Sequence, residues 1–240
     1  MTLGTPSSQA YGEPWYWDNR YAHESAPFDW YQKYPALASL IHLYVPHRHE
    51  RILVVGCGNS VFSEDMVNDG YEDVVNVDIS SVVIEAMQTK YSNCQQLKYI
   101  KLDVRDMSPF QAGSFAAVID KGTLDSILIT YGAPVYRLGL LKESCMWSIK
   151  LHHKSLQNKN MIRETKFGAE GSSEQPTRAL TDPILLDESG SSVEDVLGKN
   201  ADVHYIYVCT KVRKFSTQRF FWALPIILPA IPLSRPYMLI

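Results

Sequence analysis

The feature that most constrains this chain is a glycine turn, Gly56-Cys-Gly58-Asn-Ser60. It follows the apolar run Arg51-Ile-Leu-Val-Val55 and leads into a helical stretch, Val61–Asp69, ended by Gly70. A β-branched run without polar alternation reads as a strand covered on both faces. Glycines at a strand-to-helix turn let backbone approach a ligand, and the helix start offers unpaired N–H groups. Alone the turn is a weak signal, since it is neither a Walker A loop nor a complete GxGxxG.

The segments after it repeat the alternation. Asp73-Val-Val-Asn-Val77 reads as a second strand closed by Asp78, with Ser80 or Ser81 able to cap a helix over Val82–Tyr91. Leu97–Leu102 reads as a third strand followed by Asp103, and Phe115–Ile119 as a fourth followed by Asp120. Strands alternating with helices predict an α/β, Rossmann-like, doubly wound and mostly parallel sheet. In such sheets the carboxyl ends of the strands line the ligand crevice, so three acids after three strands point to one site. Asp78, about 20 residues beyond the glycine turn, suits the ribose hydroxyls of NAD or of S-adenosylmethionine alike. Asp103, with Val104 beside it, suits an adenine amino group and ring.

Upstream lies an aromatic cluster, Trp15 to Tyr34, then a helical stretch over Pro35–Tyr44. Downstream, Ile127–Thr130 reads as a fifth strand, Val135–Lys142 as a helix, Trp147–His152 as a sixth strand and Val203–Cys209 as the last. Residues 154–200 read as a long polar loop. The predicted organisation is a disordered 1–13, a domain over 14–211 with its cofactor half at 15–126, and an apolar tail over 212–240. The tail run Phe220–Leu233 is shorter than the roughly 20 residues of a spanning helix and holds three prolines. It is expected to be poorly ordered or to lie on the domain, with a membrane or partner contact as the alternative.

A net charge of −3 gives no overall drive toward nucleic acid or anionic lipid. Four scattered cysteines without a CxxC read as free thiols in a reducing compartment. The first residues lack a basic region followed by an apolar one, so no secretory signal is expected, and the predicted location is cytoplasmic. The histidines, His42, His47 and His49 in one stretch and His152-His153 in another, give poor metal geometry, and no metal is expected.

Together Tyr16-Trp-Asp-Asn-Arg-Tyr21, Ser25-Ala-Pro-Phe-Asp-Trp30, Arg51–Ser60, Val77-Asp-Ile-Ser-Ser-Val-Val83, Leu102-Asp-Val104 and Asp120-Lys-Gly-Thr-Leu-Asp125 carry a specific likeness. Over residues 15–126 the chain resembles the elongation factor 1-alpha lysine methyltransferases. Within that class I group it resembles the endothelin-converting-enzyme read-through and methyltransferase-like 13 types. The resemblance implies S-adenosylmethionine as cofactor and a protein lysine, on a translation elongation factor, as acceptor. It implies that Trp17, Tyr21 and Trp30 close over the cofactor and that Gly56 meets its methionine portion. Asp78 and Ile79 would hold the ribose and flank adenine, Asp103 and Val104 would bind adenine, and Lys121 would sit near the reaction centre. An aromatic lid suits a sulfonium cation. Asp120 is expected to act as the catalytic residue, orienting the acceptor ammonium or taking its proton.

The chain departs from the wider class I pattern at Val54, where many members have an acid, and at Ser60, where many have glycine. A second departure follows Ser126. Only residues 120–126 separate Ile119 from Ile127, too few for the dozen or more of a parallel crossover. Relative to the group, an internal deletion of about 30 residues is inferred, the usual size of a βαβ unit. The sheet is therefore expected to be incomplete after strand four. The alternatives are a variant that binds cofactor without turnover and a small-molecule methyltransferase.

Overall fold

The computed structural model describes residues 8–124, 137–138, 141, 147–155, 179–185, 192–197, 203–211 and 236–239. Two helices open the chain, α1 (Pro14–His23) and α2 (Tyr34–Tyr44), each with proline in its first turn, where its fixed φ suits helix entry. The alternating core follows: β1 (Arg51–Val55), α3 (Phe62–Asn68), β2 (Asp73–Asp78), α4 (Ser81–Lys90), β3 (Leu97–Lys101) and β4 (Ala117–Asp120). Ser80 is the cap of α4, its hydroxyl accepting from the Val83 N–H at 3.3 Å. The remaining elements are β5 (Trp147–Ser155), α5 (Ser192–Leu197), β6 (Val203–Lys211) and β7 (Pro236–Leu239).

These strands form one seven-stranded sheet in the order β3-β2-β1-β4-β7-β6-β5. The first four are mutually parallel, β7 is parallel to β4, and β6 is antiparallel to both β7 and β5. The expected doubly wound α/β sheet is thus present. β1 shows why it needs two covers. Ile52 and Val54 enter one core with Leu37, Leu40, Ile41, Phe62 and Met66, while Leu53 and Val55 enter another with Val75, Val77 and Val118. Period-two alternation sends successive side chains to opposite faces, and both faces of β1 are buried.

Val55 pairs with both Val77 and Asp120, and Asp78 pairs with Lys101. The register therefore lets Gly56, Ile79, Leu102 and Lys121 leave the sheet along one edge. After β3 the chain crosses to the other side of β1, which makes the gap between β1 and β4 the switch point where such sheets bind ligands.

Three expectations change. A 3-10 turn over Ser8–Gly12 lies within the stretch expected to be disordered. The polar stretch 154–200 holds α5 and a bridge from Ile184 to Leu151, because buried Ile184 and Val193 join the second core. The slot beside β4 is filled by Pro236–Leu239, from the tail expected to be poorly ordered or to lie on the domain. The predicted strand over 127–130 lies outside the described residues, as does most of the predicted helix over 135–142. No helix among the described residues is long and apolar enough to cross a membrane.

Candidate cofactor site

The turn after β1 works through backbone geometry. Gly56 and Gly58 have φ of 58° and 52°, the left-handed region that glycine enters without strain. A Cβ on Gly56 would stand 1.8 Å from Thr123 Oγ1, and one on Gly58 would stand 2.5 Å from the Tyr21 hydroxyl. Both positions are closed to larger residues by the site they help form.

Asp78 ends β2 with a carboxyl that is only 6% exposed. Burial pushes its pKa up, against the Ser80 and Gly58 N–H groups that bond it at 2.9 Å each. Each oxygen keeps a lone pair for one more donor, which suits two vicinal hydroxyls. Asp103 is half-exposed and bound by Arg105 through its backbone N–H and its guanidinium, which hold the carboxyl below its usual range. Arg105 Nη2 also donates to Gly12 O at 3.1 Å, tying the chain start to this end of the site.

The aromatic lid is α1 and the segment after it. Trp17 donates to Tyr11 O at 2.8 Å and stacks on Tyr21 at 6.0 Å. Arg20 lies over the rings of Trp17, Phe28 and Trp30 at 5.4 to 5.8 Å. Asp18 anchors α1 to α4: it accepts from Ser80 Oγ at 2.7 Å and from the Val82 N–H at 3.3 Å. Burial opposes its charge, but these hydrogen bonds prevail and lower its pKa. Asn59 pins the next segment, donating to Ala26 O at 2.7 Å and accepting from the Phe28 N–H at 3.1 Å. Ser60 donates to Asp29. Asp29 also accepts from Lys121 Nζ at 3.1 Å, and Lys121 donates to Trp30 O at 2.9 Å. Burial lowers the Lys121 pKa, and Asp29 works against that.

Trp17, Tyr21, Trp30, Gly56, Asp78, Ile79, Asp103, Val104 and Lys121 all line one cleft. Its empty space is about 620 Å³, open solvent at the mouth included. Asp120 is the exception. It does not line the cleft; it is buried, and it accepts from the N–H groups of Thr123 at 3.0 Å and Leu124 at 3.1 Å. Burial pushes its pKa up to about 6 against those amides and the Arg137 charge. Its carboxylate caps the turn that sets Thr123 against Gly56. Thr123 Oγ1 donates to Val55 O at 3.2 Å, closing that contact.

Asp18, Asp29, Asn59, Ser60 and Arg105 tie the lid and the cleft wall together, and the sequence alone assigned them no role. Four of them lie inside the motifs that carried the resemblance, and that is the signal that could have flagged them. Ser60 in particular has a purpose where many relatives of the wider class have glycine: its hydroxyl reaches Asp29.

The fold and this cleft define a nucleotide-cofactor-binding α/β domain. Residues 53–133 match the family model described as a methyltransferase domain. The chain is 40% identical over 130 residues to the eEF1A lysine and N-terminal methyltransferase of Homo sapiens, covering 53% of this chain and 18% of that protein. It is 42% identical over 120 residues to EEF1A lysine methyltransferase 4 of Bos taurus, covering 49% and 46%. The chain thus spans less than half the length of these relatives. Among solved structures, one from the study of conversion of a disulfide bond into a thioacetal group during echinomycin biosynthesis matches with a TM-score of 0.41 at 20% identity, over 59% of each chain. The methyltransferase CalH in complex with SAH matches with a TM-score of 0.29 at 24% identity, over 34% of this chain and 26% of that one.

The residues present fit S-adenosylmethionine. The buried carboxyl of Asp78, which lines the cleft, offers acceptors that suit a ribose diol, and Gly56 lines the same cleft. Aromatic faces at Trp17, Tyr21 and Trp30 suit a cationic sulfur.

Proposed function

We propose that this chain is an S-adenosylmethionine-dependent methyltransferase that acts in the cytoplasm on a lysine amine of a protein, a translation factor of the eEF1A kind. The observation that carries the reading is the convergence of all nine expected cofactor positions on one cleft at the carboxyl edge of the sheet. When bound, the cofactor supplies a methyl group on a sulfonium, open to in-line displacement by an unprotonated amine. The chain's own contribution is to position and to exclude water. Asp78 holds the ribose end, Asp103 and Val104 the adenine end, and the lid of α1 and Trp30 shields the sulfur. Lys121, latched to Asp29, fixes the Trp30 backbone at the cleft wall. The acceptor class is drawn from the relatives' activity on eEF1A.

Calorimetric titration with S-adenosylhomocysteine tests this. Micromolar binding that is lost in Asp78→Ala supports it, and a folded protein that binds nothing sinks it. A second reading is cofactor binding without turnover. Asp120 favours it: its carboxylate is engaged by backbone amides, and the only carboxylates lining the cleft among the described residues are Asp78 and Asp103. Labelled methyl transfer to eEF1A separates the two.

A further inference from the structure

The slot beside β4 is filled from the far end of the chain. Ile127–Thr130, read from the sequence as the next strand, follows Ile119 with too few residues between for a parallel crossover. Pro236–Leu239 occupies the slot instead. Val118, Ile119 and Asp120 pair with Tyr237, Met238 and Leu239 on one side, and Tyr207–Thr210 pair with Leu239–Pro236 on the other. The sequence suits an inner strand. Proline, which cannot donate to the ladder, stands at the first position, and the three residues after it are all apolar or aromatic.

In the order β3-β2-β1-β4-β7-β6-β5, β7 is the one strand through which the ladder passes between the cofactor half and the β5–β6 hairpin. The hairpin in turn reaches the lid. His204 of β6 lies at the same sheet edge as Asp120, its Nδ1 is 2.9 Å from Gln32 Nε2, and its ring meets Tyr31 edge-on at 5.1 Å. Tyr31 is held at φ 62°, a conformation a tyrosine keeps only when its surroundings impose it. Gly122 lies beneath it, where a Cβ would come within 3.0 Å of the Tyr31 ring.

We propose that residues 236–239 act as a joining strand that occupies the slot beside β4, locks the β5–β6 hairpin to the cofactor half, and so holds His204 against the lid. The slot between β4 and β6 is then a binding site for an extended apolar segment, occupied in cis by the chain's own tail. Without it, β4 and β6 each present a bare edge, and the hairpin keeps only its side-chain contacts with the two cores.

Hydrogen exchange on the full chain tests this. The amides of residues 237–239 should exchange far more slowly than those of a free peptide; exchange at the free-peptide rate would overturn the proposal. In Met238→Pro, which removes a donor and breaks the ladder, protection should fall at least tenfold over 118–120 and 207–210. It should persist over 52–55 and 74–78, and Met238→Leu should match the parent chain. Affinity for S-adenosylhomocysteine should fall with the lid, by tenfold or more. Unchanged exchange in Met238→Pro overturns the joining role. Equal loss of protection over all these strands overturns the idea that the two halves are separable. The exchange arms do not depend on cofactor binding, so their failure is distinguishable from failure of the methyltransferase reading.

Discussion

Asp29 and Lys121 form a buried ion pair, Nζ to Oδ1 at 3.1 Å, with side chains only 6% and 8% exposed. It joins the segment after α1 to the end of β4, and Ser60 at the glycine turn donates to the same carboxylate. Removing one partner of a buried pair strands the other charge, which costs about 3–5 kcal/mol, whereas removing both leaves none. Asp29→Ala should therefore lower unfolding stability by about that amount, and adding Lys121→Met should recover most of it. Urea unfolding checks this; a double variant no more stable than Asp29→Ala would refute the pairing.

The pH response of Asp120 has a definite sign. Its folded pKa, about 6, exceeds that of an ordinary aspartate, so the folded state binds the proton more tightly than the unfolded one. Its contribution to stability is therefore most favourable at acid pH and declines as pH rises from about 4 through about 6, a change of roughly 2–3 kcal/mol. Asp120→Asn should lose that slope while its carbonyl still accepts from the turn. Unfolding curves for both proteins at pH 4.5 and pH 7.5 measure the difference, and parallel behaviour would contradict it.

Gly56 and Gly70 both have positive φ but differ in surroundings. A Cβ at Gly56 meets Thr123 Oγ1 at 1.8 Å, while one at Gly70 meets nothing within 4 Å. Gly70→Ala should cost only backbone strain, about 1–2 kcal/mol. Gly56→Ala adds a collision that must displace the Thr123 turn, so it should cost more and weaken S-adenosylhomocysteine binding as well. Thermal melts and titration of the two variants side by side test the ranking.

Asp18 caps α4 from α1, so it serves two helices at once. Asp18→Ala should cost about 1–2 kcal/mol, the range of a lost cap. It should also speed cofactor release, because α1 carries Trp17 and Tyr21. Stopped-flow dissociation of S-adenosylhomocysteine reads the second effect; an unchanged off-rate would separate the cap from the lid. Its lowered pKa makes the contribution one that is present above the ordinary aspartate range and lost as pH falls through the folded value.

The sequence by itself determined the cofactor half. Apolar runs of strand length, a glycine turn and acids after three strands are local patterns, and parallel-sheet register brings them to one edge with no long-range information beyond strand order. Gly56, Asp78, Asp103 and Val104 were legible for that reason, whereas Trp17, Tyr21, Trp30, Ile79 and Lys121 came from the resemblance to a known family. Tertiary structure alone decided which polar groups face one another: Asp18 with Ser80, Asn59 with Ala26 and Phe28, Asp29 with Ser60 and Lys121. It also decided that Asp120 turns toward backbone amides and away from the cleft. Such pairings join positions tens of residues apart, and no periodicity encodes them. The same holds for the strand beside β4. Which distant apolar segment pairs there is settled only when two strand edges compete for a partner in the folded chain.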